Sequence, residues 1–172
     1  MRNSTLALAL SLCLLALFAP PSEARGTYGW VEFAQLHLDG QPLRVKAKLD
    51  TGAKISSLDA TDIAPFERDG KRWVRFRPSR AGAEAAPLIE QPIARYVRIK
   101  RHNGSYDRRP VIRLPLCLGD ELRTVEVNLT DRGNFIYPLL LGRKALAGLA
   151  VVDPARTFVR APRCAGTPAK KP

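Results

Sequence analysis

A two-residue alternation of apolar and polar side chains recurs along this sequence, and it restricts the possible fold more than any other feature. Between residues 44 and 49, Val45, Ala47 and Leu49 alternate with three basic residues. The same alternation recurs in residues 97–100, 114–118 and 125–129. Because successive side chains of a strand point to opposite faces of a sheet, each segment is predicted to be a strand with one buried face.

Short turn sequences separate the predicted strands. Four dipeptides are suited to tight hairpin turns: Asp39-Gly40, Asp69-Gly70, Asn103-Gly104 and Gly119-Asp120. Glycine and asparagine tolerate the positive φ angles that such turns require. We therefore expect a series of antiparallel hairpins.

Helix signals are few. A turn or two is predicted over residues 59–66, and a short helix over residues 143–149 after Gly142. Residues 78–92 are rich in alanine, proline and glycine, which indicates a loop. A chain of 172 residues is long enough for one hydrophobic core, so we expect a single, mainly β domain with one or two short helices.

The first 24 residues differ from the rest and are typical of a signal peptide. Arg2 precedes an apolar run over residues 6–18, and small residues lead up to Ala24, after which cleavage is expected. The alternative is a membrane anchor, but the run is shorter than the roughly 20 apolar residues that a spanning helix needs. We expect an exported, periplasmic protein without a stable membrane span, a domain over residues 25–160 and a disordered tail over residues 161–172.

Cleavage would leave two cysteines, Cys117 and Cys164, in a compartment where disulfides persist. A bridge between them would fasten the C-terminal tail to the sheet. Two unpaired thiols are the alternative, because spacing alone does not show that the side chains meet.

The chain is strongly basic, with a formal net charge of +12 and a pI near 10.3. This charge favours anionic partners. Basic residues cluster in residues 68–80 and 95–109, but neither cluster carries regular aromatic interleaving or a nucleic-acid motif, so nucleic acid is not an expected partner. Acidic peptides and the anionic cell envelope remain, beside the alternative of a merely solvated basic surface.

The sequence Asp50-Thr51-Gly52-Ala53 follows directly on the first alternating strand. Such a strand would place a carboxylate on a tight loop, where Gly52 allows the backbone to approach a substrate. In aspartic proteases two such carboxylates share one proton, so that one acts as a base on water and the other as an acid. The alternative is an ordinary turn in which Asp50 bonds its own backbone.

A second motif makes the resemblance to a known family specific. An apolar run ending in glycine, residues 139–142, resembles the strand that lies under the active-site loop of retropepsin-like enzymes. More closely, the chain resembles a bacterial family that was labelled ATP-dependent zinc proteases and is now understood as retropepsin-like aspartic peptidases. The shared features are residues 49–58, 65–76, 109–111, 137–143 and 152–154.

The resemblance implies a retropepsin-like acid protease barrel and an aspartic endopeptidase. Asp50 would be the catalytic residue in a loop of Thr51, Gly52 and Ala53, which Leu140, Leu141 and Gly142 would support. Because the chain carries one such motif and the chemistry needs two carboxylates, we expect a homodimer with the site on its two-fold axis. The substrate would be a peptide or protein, with acidic residues favoured by the basic surface. A hairpin over residues 66–77 is a candidate flap.

One departure from the family concerns metal binding. Asp59 stands where the family often has histidine, which leaves His37 and His102, both expected at the surface. No zinc motif or phosphate-binding glycine loop is present, so we expect no metal and no other cofactor. Two rival functions remain open: an inactive envelope-binding module with the same fold, and a metallohydrolase.

Overall fold

Ten strands and one short helix are present in residues 25–79, 87–100 and 104–164, which the computed structural model describes. The strands are β1 (Gly26–Leu38), β2 (Gln41–Asp50), β3 (Ser56–Arg68), β4 (Lys71–Pro78), β5 (Ile89–Pro92), β6 (Arg95–Lys100), β7 (Tyr106–Leu118), β8 (Glu121–Thr130), β9 (Leu139–Gly142) and β10 (Ala150–Thr157). Helix α1 (Arg143–Leu146) lies between β9 and β10. The predicted mainly β architecture is confirmed. The predicted signal peptide lies outside the described residues, as does the tail beyond Cys164.

Six strands close into a barrel in the order β1, β2, β9, β3, β8, β7 and back to β1. Closure pairs every barrel strand on both edges and leaves no open edge around the ring. The apolar faces of these strands form the core, as the alternation predicts. Its fully buried side chains include Leu36, Leu58, Ile112, Leu114, Leu129, Leu139 and Leu141.

The expected antiparallel hairpins are present, but they do not account for the whole sheet. Hairpins do join β1 to β2, β3 to β4 and β7 to β8 at three of the predicted turns. Three parallel pairings also occur, β2 with β9, β3 with β8, and β1 with β10. Pairing between distant segments has no local sequence signal, and these pairings bring the end of β2 beside the end of β9.

Two local predictions are corrected by the same long-range pairing. Residues 59–66 belong to β3 and not to a helical turn, because β3 pairs with β8 and β9 at its start and with β4 further along. Residues 89–92 form β5, which pairs with β4, whereas 80–86 of the predicted loop lie outside the described residues. The helix predicted over 143–149 exists but ends at Leu146.

The C-terminal segment is fastened to the barrel at several points. A disulfide joins Cys117 of β7 to Cys164, and the Cα atoms are 5.9 Å apart. The amide of Arg163 donates to the carbonyl oxygen of Gly119 at 2.7 Å. Residues 161–164 are therefore attached to the sheet, as a bridge between the two cysteines would require.

A fully buried carboxylate, Glu32, provides a second fastening. Its Oε1 accepts hydrogen bonds from the amides of Gly29 at 2.7 Å and Val159 at 2.9 Å, and its Oε2 accepts one from Arg160 at 3.2 Å. Hydrogen bonds of this kind compensate the desolvation of a buried carboxylate. Glu32 thereby joins β1 to the segment that follows β10.

Candidate active site

Asp50 is the last residue of β2, and its carboxylate bonds the loop that follows. Its Oδ1 accepts hydrogen bonds from the amides of Gly52 at 2.9 Å and Ala53 at 3.1 Å. The amide of Ala53 also approaches the carbonyl oxygen of Asp50 at 3.3 Å. Two backbone donors fix the orientation of the carboxylate, and Thr51 and Gly52 remain exposed beside it.

Lys48 faces the other oxygen of this carboxylate, with 3.3 Å between Nζ and Oδ2. Partial burial raises the pKa of Asp50, but the hydrogen bond from Lys48, the two backbone donors and the lysine charge together outweigh it. The net effect lowers the pKa below its ordinary value. The lowered pKa favours the ionised form of Asp50, which is the form of a carboxylate that can accept a proton.

β9 lies directly under the loop, with Gly142 in register with Asp50. The amide of Gly142 donates to Oγ of Ser56 at 3.1 Å. A Cβ atom at position 142 would stand 2.7 Å from the backbone carbonyl group of Ile55, so only glycine permits this approach. Leu140 and Leu141 directly precede Gly142 in the same strand, and Leu141 is fully buried.

Helix α1 also fastens the loop that follows Asp50. Nη1 of Arg143 donates to the carbonyl oxygens of Thr51 and Gly52, both at 2.8 Å. The amide of Arg143 donates to Ala53 at 2.9 Å, and that of Lys144 donates to Lys54 at 3.2 Å. The guanidinium therefore supports the loop by donating hydrogen bonds to its carbonyl oxygens, a role that the sequence analysis did not assign.

A buried amide connects the start of β3 to the neighbouring strands. Nδ2 of Asn128 donates to the carbonyl oxygen of Ser56 at 2.6 Å and to Oγ of Ser57 at 2.8 Å. Its Oδ1 accepts a hydrogen bond of 3.4 Å from Arg109. The only sequence signal for Asn128 is a polar residue between the buried Val127 and Leu129.

A basic cleft of about 600 Å³ opens beside the loop, between it and β6. Its cationic lining residues are Lys54, Arg95, Arg98, Arg109 and Lys144, and its described lining contains no acidic residue. Arg95 pairs with Glu126 at 2.9 Å and Arg109 with Asp107 at 2.8 Å. Within the described part of the chain, the other three cations have no carboxylate partner, which leaves an excess of positive charge in the cleft.

His37, the one histidine among the described residues, is not part of a potential metal site. His37 was expected at the surface, but it is only 8% exposed because the end of β1 lies between β2 and β7. His102 lies outside the described residues. Among residues 25–79, 87–100 and 104–164, no cluster of three or more His, Cys, Asp or Glu side chains could hold a metal ion. In the same ranges, no helix is long and apolar enough to cross a membrane.

Comparison with known protein families gives a match over most of the chain. Residues 27–163 match the RimB-like family model, described as retropepsin-like aspartic endopeptidase RimB. Two curated relatives are named probable alpha-L-glutamate ligase: one from Desulfotalea psychrophila, 34% identical over 132 residues, and one from Shewanella pealeana, 36% identical over 135 residues. The matches cover 76% and 77% of this chain but only 28% and 29% of those proteins.

A solved structure extends the similarity to the whole fold. A Legionella pneumophila protein of unknown function is 41% identical to this chain and superposes with a TM-score of 0.67. The match covers 79% of this chain and 98% of the other. The similarity therefore includes nearly all of that protein and most of this one.

Proposed function

This chain belongs to the family of retropepsin-like aspartic endopeptidases, and from that membership we propose that it hydrolyses peptide bonds as a homodimer. Each subunit would contribute one Asp50, and the two carboxylates would share a proton. The ionised carboxylate takes a proton from the attacking water, while the protonated one gives its proton to the carbonyl oxygen. The observation that carries the proposal is the carboxylate of Asp50, oriented by two backbone amides on a loop that β9 and α1 hold in place.

The dimer follows from the number of carboxylates. The 172-residue sequence contains one Asp-Thr-Gly motif, and the mechanism needs two. A two-fold axis beside Asp50 would place identical residues opposite each other. The exposed loop residues Thr51 and Gly52 are available for such a contact.

The expected substrate is an acidic peptide segment. The cleft beside Asp50 is lined by cations in excess of their carboxylate partners, and the net charge of the chain is +12. The names of the two curated relatives also point to glutamate, since each contains a segment similar to this chain. A positive cleft raises the local concentration of anionic segments, and salt weakens this attraction.

An unbiased peptide library incubated with the purified mature protein tests the proposal. The proposal is supported if the cleavage rate is proportional to the concentration of dimer and if the cleaved sites lie next to glutamate or aspartate. No cleavage by a protein that nevertheless binds acidic peptides would favour the alternative, an inactive envelope-binding module with the same fold.

Metal should be dispensable for this reaction. The proposed mechanism activates water with a carboxylate, so hydrolysis is expected to be unchanged after treatment with a strong chelator. The measurement is the cleavage rate before and after chelation, together with the zinc content of the active protein. Loss of activity that zinc restores would favour a metallohydrolase.

Replacing Lys48 should move the acid limit of the pH profile. A shared-proton pair gives a bell-shaped profile, whose acid limb reports protonation of the ionised carboxylate. Lys48 lowers the pKa of Asp50, so Lys48→Met is expected to raise that pKa. The acid limb of kcat/KM should therefore move to higher pH, with the alkaline limb less affected.

Lys46 provides the matched control for this measurement. It lies on the same face of β2, is exposed, and has no carboxylate partner among the described residues. Lys46→Met removes the same charge and should leave the acid limb in place. Equal profiles for all three proteins would show that Lys48 does not act on the catalytic carboxylate.

Export remains part of the proposal. The protein recovered from the periplasm should have the mass of a chain that begins after Ala24, less two hydrogens for the disulfide. Intact-mass measurement with and without a reductant tests both features. A full-length, reduced chain found only in the cytoplasm would contradict export.

A further inference from the structure

One face of the hairpin formed by β6 and β7 carries cations and tyrosines but, in residues 95–100 and 106–110, no acidic residue. Strand pairing places Arg98 opposite Arg108 and Lys100 opposite Tyr106. Because side chains alternate along a strand, these four residues share one face with Tyr96, which we call the basic face. All but the half-buried Tyr96 are exposed. The other face carries Val97, Ile99 and the ion pair of Arg109 with Asp107 at 2.8 Å.

The cations of the basic face contact aromatic rings and, within the described part of the chain, have no carboxylate partner. The guanidinium of Arg98 lies 4.4 Å from the ring centre of Tyr106, and that of Arg108 lies 3.9 Å from that of Tyr96. Arg98 and Arg108 are also directly opposite each other in the ladder. Like charges at opposite positions of two strands destabilise their pairing. An anionic partner would relieve this repulsion.

This arrangement is not visible along the sequence. The basic cluster in residues 95–109 lacks regular aromatic interleaving, because Tyr96 and Tyr106 lie at its opposite ends. Only the pairing of β6 with β7 brings both tyrosines among the cations. The folded hairpin therefore has an aromatic and basic surface that the linear pattern does not predict.

Two kinds of anionic partner fit cations next to tyrosines: nucleic acid and an anionic membrane surface. Nucleic acids bind such surfaces by stacking bases on open aromatic faces. The ring of Tyr96 is half-buried and lies under Arg108 and 5.6 Å from Arg72, and that of Tyr106 lies under Arg98. At a membrane interface, tyrosine and arginine place apolar groups toward the lipid and polar groups toward the headgroups, without a need for stacking. The contacts therefore favour a membrane.

We propose that the basic face of the β6–β7 hairpin docks this protein on a membrane surface that contains anionic phospholipids. The inference rests on the export proposed above and does not depend on peptidase activity. Val97 and Ile99, on the opposite face, line the cleft beside Asp50. Arg98 also borders the cleft, but its guanidinium lies over Tyr106 on the basic face. Docking would thus use the side of the hairpin that faces away from the cleft.

Co-sedimentation of the mature protein with lipid vesicles tests the proposal. The protein should sediment with vesicles of phosphatidylglycerol and phosphatidylcholine in equal amounts, but not with vesicles of phosphatidylcholine alone. Binding should weaken as the salt concentration rises. Arg98→Gln/Lys100→Gln should weaken it by about tenfold or more, because each cation near an anionic surface raises the affinity by roughly fivefold. Unchanged binding of this variant would overturn the docking face.

Arg44→Gln/Lys46→Gln is the matched control. These residues are likewise an exposed arginine and lysine separated by one position, and Arg44 lies 4.0 Å from the ring centre of Phe33. The control removes the same charge from β2 and should leave vesicle binding unchanged. Equal losses in the two double variants would show that only the net charge of the chain matters, which would overturn a specific docking face.

A second control separates the basic face from the cleft. Lys54→Gln/Lys144→Gln removes two cations that line the cleft and should retain binding. Arg108→Gln, which changes a residue outside the cleft lining, should weaken binding by about fivefold and provides the test if the first variant fails to fold. Loss of binding in the cleft variant, with Arg108→Gln unchanged, would overturn the proposal.

The remaining outcomes concern the kind of partner and the relation to catalysis. Binding of a single-stranded oligouridine that depends on Arg98 and Lys100, without binding to vesicles, would replace the membrane by nucleic acid. Vesicle binding is measured without a peptide substrate. Failure to dock would therefore leave the peptidase proposal intact, whereas a protein that docks through the basic face but cleaves no peptide would preserve this inference and remove the peptidase.

Discussion

Asp50→Asn is expected to reduce peptide hydrolysis on the order of 10³-fold or more, because it removes the base that activates water. Asparagine keeps an oxygen that can accept the hydrogen bonds from the amides of Gly52 and Ala53. The loop should therefore keep its conformation. Lys48 loses its ionic partner, but it is partly exposed and water can solvate it, so the stability cost should be small. The measurement is kcat/KM on a peptide that the wild-type protein cleaves.

Asp39→Asn is the matched control, because Asp39 lies in the turn at the opposite end of β2. It should retain full activity. Mixing equal amounts of wild-type and Asp50→Asn subunits under exchange conditions tests the shared site, since only about a quarter of the dimers would then keep both carboxylates. Retention of half the activity would indicate independent subunits. Unchanged hydrolysis by Asp50→Asn alone would remove Asp50 from the mechanism.

The strands of this fold were predictable where their signal is local. The alternation around Val45 and Leu49 has a period of two, and β2 buries the apolar face and exposes most of the other. Long-range pairing was not predictable from the same pattern. Residues 59–66 carry local signals for a helical turn, but pairing with β4, and with β8 at Asp59, makes them a strand, because those hydrogen bonds outweigh weak propensity.

The residues of the candidate site were likewise predictable only where their signal is local. Asp50 was identified from a contiguous motif, and the position of Gly142 from resemblance to a family. Asn128 in the site and Glu32 in the supporting fold were missed because each bonds partners far away in sequence. A signal did exist for Glu32, which occupies the same face of β1 as the buried Ala34, where a carboxylate needs an internal partner. Its partner, the segment after β10, could be identified only in the folded chain.

Reduction of the Cys117–Cys164 disulfide is expected to destabilise the protein by about 2–4 kcal/mol. The bridge joins residues 47 positions apart, and the enclosed chain contains β8, β9, α1 and β10. It therefore restricts the unfolded chain over β9 and α1, two elements that hold the Asp50 loop in place. The measurement is the urea midpoint of the oxidised and the reduced protein, compared at equal protein concentration.

The double variant Cys117→Ala/Cys164→Ala separates the bridge from other effects of the reductant. Its midpoint should be near that of reduced wild-type protein, lowered further by the lost packing at the buried position 117, and should not respond to reductant. The native contacts of the tail do not depend on the bridge alone, because Glu32 also bonds the amides of Val159 and Arg160. The reduced protein should therefore still fold and keep β10 paired with β1. Equal midpoints for oxidised and reduced protein would show that the Glu32 contacts suffice and that the bridge adds no stability.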